Sequence, residues 1–104
     1  MQAMITVNKY PLGLIMNVVE SMGLEVTYAY DDLVFVAHSA FLFQMDNNPQ
    51  LVNLYFNQQS DTDSRAGITE SLIKYGQENG LTIITKGLFA MEQQEDENLK
   101  ITFS

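Results

Sequence analysis

The chain has 104 residues, 46% hydrophobic and 17% charged, with 13 acids against 5 bases and no cysteine. That length and balance suit one packed domain spanning the whole chain, and the missing cysteine excludes disulfides and thiolate metal sites. A formal net charge of -8 repels phosphate backbones and anionic headgroups, so neither nucleic acid nor a membrane surface is expected as a partner.

The opening segment, "MQAMITVNKYPLGLIMNVVESMG", has neither the basic start nor the continuous apolar stretch of a secretory leader, and a cytoplasmic location is expected. Pro11 suits the first turn of a helix and Gly23 its stop. Between them Leu12, Ile15, Met16, Val19 and Met22 recur at helical spacing and predict a helix over 11–22. Leu14 and Val18 form a second apolar stripe, which implies cover on more than one side.

From Leu24 the period changes to two. Leu24, Val26, Tyr28 and Tyr30 fall on one face of a predicted strand, with Glu25, Thr27 and Ala29 on the other. Asp31-Asp32 has turn chemistry without the glycine of the tightest hairpins. Leu33 to Ala37 and Ala40 to Asp46 read as two further strands around a turn at His38-Ser39, or as one long bent strand. "NNPQ" (47–50) is a turn, and Leu51 to Asn57 alternates again, with Val52, Leu54 and Phe56 facing one way.

The polar stretch 58–64 ends in residues that cap helices. A second helix is predicted from Ser64 to Asn79, with Ile68, Leu72 and Tyr75 inward, Gly80 closing it, and Gly67 and Gly76 weakening it. Leu81 to Gln93 then reads as extended, with a bulge or turn at Gly87. The acidic connection 95–98 leads to a last strand at Leu99 to Phe103. The predicted fold is α+β: two helices on a five- or six-stranded antiparallel sheet, in the order helix, meander, helix, hairpin.

That order of elements resembles the class I type III secretion chaperones and the YbjN-like proteins that share their fold. In both, a helix precedes a three-stranded meander, a second helix follows and a hairpin returns. The resemblance extends over nearly the whole chain and implies a chaperone-like, protein-binding role. It is carried by no residue motif, and the sequence ends on a strand where those families usually add a helix.

Chemistry-bearing patterns are few. His38 is the single histidine, and an imidazole changes charge near neutrality, but a lone histidine at a strand end is usually structural, and catalysis would need the fold to bring it an orienting acid and a nucleophile, here a serine, a threonine or water. "DTDSRAG" (61–67) opens like a calcium loop, yet Arg65, Ala66 and Leu72 stand where an oxygen ligand, a glycine and a bidentate glutamate are needed. Helix capping accounts for Asp61 and Asp63 instead. The acidic run 92–98 reads as a solvated hairpin loop. No metal, cofactor or catalytic activity is expected.

The remaining signal is "LVFVAHSAFLF" (33–43). Leu33 and Phe35 point to one face and Val34 and Val36 to the other, while Leu42 opposes Phe41 and Phe43. An antiparallel sheet covered on one side needs only alternate apolar positions. Either the two helices take one face each, or the sheet curls around a core, or the helices share a face and a protein covers the other. The last alternative gives the expected function, a protein-binding or regulatory module holding a second copy of itself or a peptide. Its candidate interface comprises Leu14, Val18, Val34, Val36, His38 and Leu42. Competing expectations are an acidic inhibitor acting as a decoy and a small enzyme using His38.

Overall fold

A computed structural model describes residues 10–93, 95 and 99–104. Helix α1 (Tyr10–Ser21) is followed by strands β1 (Val26–Tyr30), β2 (Leu33–Val36), β3 (Phe41–Met45) and β4 (Leu51–Asn57). A short 3-10 turn (Thr62–Ser64) leads into α2 (Arg65–Glu78), and β5 (Thr82–Gln93) and β6 (Leu99–Phe103) follow. All six strands form one sheet in sequence order. The class is α+β with two helices, as expected.

The expected antiparallel sheet is corrected at one junction. β1 to β4 run as an antiparallel meander and β5 and β6 form an antiparallel pair, but β4 and β5 are parallel, from Leu51 beside Thr82 to Asn57 beside Phe89. α2 carries the chain back to the end of the sheet where β4 began, so β5 must start there and run the same way. The Thr82 amide donates to the Gln50 carbonyl at 2.7 Å and fixes that start.

Both helices stop as their glycines require. Leu24 N–H bonds the Val19 carbonyl and Gly23 N–H that of Glu20, while Leu81 N–H bonds Gly76 and Gly80 N–H bonds Gln77. Gly23 and Gly80 have φ of 76° and 74°, the left-handed residue that closes a Schellman motif.

The main core lies between the helices and one face of the sheet. Ile15, Val18 and Val19 of α1 and Leu72 of α2 pack there with Val34, Val36, Phe41, Phe43, Val52, Leu54, Phe56, Leu81 and Ile83. Both helices therefore share one face. A smaller cluster on the opposite face, Phe35, Leu42 and Phe89, includes no helical residue; Leu33, Tyr55, Met91 and Ile101 pack against it.

That opposite face is curled. β2 and β5 have two strands between them, a separation of about 14 Å in a flat sheet, yet the rings of Phe35 and Phe89 lie 6.1 Å apart, edge to face. The two-sided apolar strands thus follow the expected curl around a core, with both helices sharing the other face.

Candidate functional site: the helix-free face at the edge strand

The face without helices is built by alternation along six strands. Phe35 opposes Leu42, Leu42 opposes Tyr55, and Phe89 opposes Phe103. Tyr55 and Phe103 pack with ring centroids 4.4 Å apart. These side chains fill most of the concavity themselves: Phe35 is 4% exposed, and Leu42 and Phe89 are fully buried. Apolar surface is left at the rim, at Ile84 and Phe103 on one side and at Tyr28 and Tyr30 on the other.

Tyr28 and Tyr30 are the most open, at 58% and 64%. Their arrival on this face departs from the simple period of two. Val26 pairs with Val36 and Tyr28 with Phe35, so Thr27 is an extra residue on β1 and the strand bulges. Leu24 and Val26 pack against the main core, whereas Tyr28 lies against Phe35 at 6.1 Å. The expected single face of Leu24, Val26, Tyr28 and Tyr30 is corrected accordingly. Thr27 holds the bulge, its hydroxyl donating to the Phe35 carbonyl at 3.4 Å and accepting from the His38 amide at 2.9 Å. The two tyrosine rings lie nearly parallel, at 11°, with centroids 6.4 Å apart.

Among the described residues β1 is an edge of the sheet. Its residues Thr27 to Tyr30 are all exposed, and an unpaired strand edge is a template for another strand. Glu25 precedes it and Asp31-Asp32 follow it, with no base in the hairpin.

The six residues of the expected interface are divided by the fold. Val18 on α1, and Val34 and Val36 beneath the helices, are fully buried, and Leu14 packs half-buried against the same core. Only Leu42 belongs to the helix-free face, where it is buried by its neighbours. His38 is exposed in the β2–β3 turn. The surface that the sequence singled out by its valines is therefore represented by Tyr28, Tyr30, Ile84 and Phe103, which the period-two pattern alone did not distinguish from core. The signal available was the company of the tyrosines, whose polar tips suit a half-open site.

The β2–β3 turn is strained. Ala37, His38 and Ser39 are consecutive left-handed residues, with φ of 55°, 58° and 68°, a run that side chains rarely adopt. Surrounding bonds impose it: the Ala37 amide donates to Glu25, the Asn57 amide to Ala40, and the Asn57 side chain to the Ser39 carbonyl at 3.0 Å.

Asp61 acts as a cap, accepting from the Asp63 amide at 3.1 Å and from the Ser64 hydroxyl at 2.8 Å. Among the described residues no group of three or more His, Cys, Asp and Glu is placed to hold a metal ion; most of the acidic run 92–98 lies outside them. No helix among the described residues is long and apolar enough to cross a membrane. Comparison with protein-family models, with curated proteins and with solved structures finds no match to this chain.

Proposed function

We propose that this protein is a non-catalytic protein-binding module whose contact surface is the β1 side of the helix-free sheet face. One observation carries the reading: both helices pack on the same side, so among the described residues the exposed pair Tyr28 and Tyr30 has no helix over it. Tyrosines of this kind supply large contact area with little entropy to lose, which suits recognition of another protein. An element order that resembles that of the secretion chaperones accords with such a role, as does an acidic surface that resists unspecific association.

The experiment is hydroxyl-radical footprinting of the protein incubated in a lysate of its source, with a Tyr28→Glu/Tyr30→Glu variant in parallel. Protection of the two tyrosines, with retained partners lost in a variant that folds like the parent, supports the proposal. Unchanged reactivity at both tyrosines and equal retention by the variant would overturn it. Light scattering on the purified protein separates a second copy from a different partner.

A further inference from the structure

We infer that the outer edge of β1 accepts an extended peptide as an additional strand, and that the peptide is basic at both ends. The inference rests on the proposed function and names its partner by chemistry.

Three observations meet at this edge. β1 is the terminal strand of the sheet, and its five residues, Val-Thr-Tyr-Ala-Tyr, include neither lysine nor proline. Natural edges are commonly blunted by such residues or by bulges, because a bare edge recruits other strands; β1 carries one bulge, at Thr27 near its start, and pairs regularly from Tyr28 to Tyr30. β1 has a high β-propensity and an uncharged sequence, so it is suited to pairing.

The second observation is the charge at its ends. Glu25 stands before the strand, and Asp31 and Asp32 follow it. The described bases, Arg65, Lys74, Lys86 and Lys100, belong to α2, β5 and β6, whereas β2 and β3 lie between β1 and the rest of the sheet. Among the described residues, an added strand would therefore meet carboxylates at both of its ends and no cation between them. Complementary charge at such a contact sets the partner and its register.

The same pattern argues against a second copy on this edge. Antiparallel pairing of two β1 strands about Tyr28 would set Glu25 opposite Asp31 twice, and like charges directly opposite destabilise a strand pair. In any register the second β1 brings acids and no base. The third observation is the parallel tyrosine pair, 6.4 Å between centroids, beside the edge. An arginine or lysine stem of the incoming peptide can lie on these rings, where a cation is favoured. Strand addition supplies affinity through the main chain, and the tyrosines and carboxylates would supply the selection.

The test uses two synthetic seven-residue peptides that alternate valine and threonine, one ended by arginines and one by glutamates, titrated into the full-length protein. Binding is read by NMR shifts and by amide exchange at Val26–Tyr30. The arginine-ended peptide is expected to bind saturably and to slow exchange along β1, while the glutamate-ended peptide leaves both unchanged. Glu25→Gln, Asp31→Asn and Asp32→Asn together should weaken the arginine peptide at least about tenfold, and added salt should do the same. Equal binding of the two peptides, or no binding of either, overturns the inference. Shifts centred on Tyr55 and Phe103 would overturn the edge site while leaving the proposed function standing. A free protein that is dimeric with β1 amides already protected would assign the edge to a second copy, and would equally overturn it.

Discussion

A hydrogen at Cα has opposite consequences at two positions of α2. Around Gly67 nothing lies within 4 Å of an added Cβ, so Gly67→Ala should raise stability by about 1 kcal/mol through helix propensity alone. At Gly76 an added Cβ would meet the Leu81 carbonyl oxygen at 2.7 Å and Ile83 Cδ1 at 3.0 Å. Gly76→Ala should therefore lose about 1–3 kcal/mol despite the better propensity. Urea denaturation of the two variants checks the pair, and equal effects would show that α2 does not pack this closely on the start of β5. His38 offers a third case. Relief of its left-handed backbone is worth about 1–2 kcal/mol, against about 0.5–1 kcal/mol for the added freedom of glycine in the unfolded chain. His38→Gly should then be neutral to stabilising by about 1 kcal/mol, measured by thermal melts. A large loss would mean that the imidazole makes contacts important to the fold.

At the scale of elements, the β4–α2 connection depends on one cation. The Arg65 guanidinium donates to the carbonyls of Asn57, Gln58 and Ser60 and to the Ser60 hydroxyl, at 3.0–3.3 Å, and sits 5.9 Å from the Phe56 ring centroid. These bonds gather the chain as it leaves β4 and turns into the helix. An ammonium cannot reproduce the planar fork. Arg65→Lys should cost about 1–2 kcal/mol, seen as a lowered denaturation midpoint with faster amide exchange in residues 58–64. The run 61–67 that opens like a calcium loop is thus occupied by capping and by this clamp. Asp61 was legible as a cap from the sequence, although it caps the 3-10 turn and not α2 itself, while Asp63, expected to cap as well, donates its amide to Asp61. The arginine was not legible, because most of its hydrogen-bond partners are backbone carbonyls, which every sequence possesses.

For the whole molecule, the curl of the sheet depends on side chains that meet across strands not adjacent to one another. Phe89 is fully buried and joins Phe35 over the intervening strands. Phe89→Ala should lose about 3–5 kcal/mol, and it should loosen the helix-free face more than the helical one. Amide exchange resolved along β5 and β6, compared with α1, measures that difference. A uniform loss would show that the two clusters unfold as one unit and that the second contributes no separate order. The proposed binding edge depends on the same curvature, since Tyr28 leans on Phe35, which in turn packs on Phe89.

The sequence by itself determined the elements. Helical spacing with Pro11, Gly23 and Gly80, and alternation in Leu51 to Asn57 and Leu99 to Phe103, are local properties of the chain, and both helices and all six strands lie within two residues of their expected bounds. It also showed that Leu33 to Phe43 is apolar on both sides. Which side each residue faces in space was decided by tertiary structure. A single bulge at Thr27 reverses the tyrosines relative to Val26, and a bulge is a fact of pairing with β2, invisible in β1 alone. The parallel β4–β5 junction has the same origin, because the direction of a returning strand follows from where a helix packs. That Val34 and Val36 lie under helices while Phe35 and Leu42 do not could not be read from hydrophobicity, which gives the two faces of a strand equal weight and leaves long-range packing to choose between them.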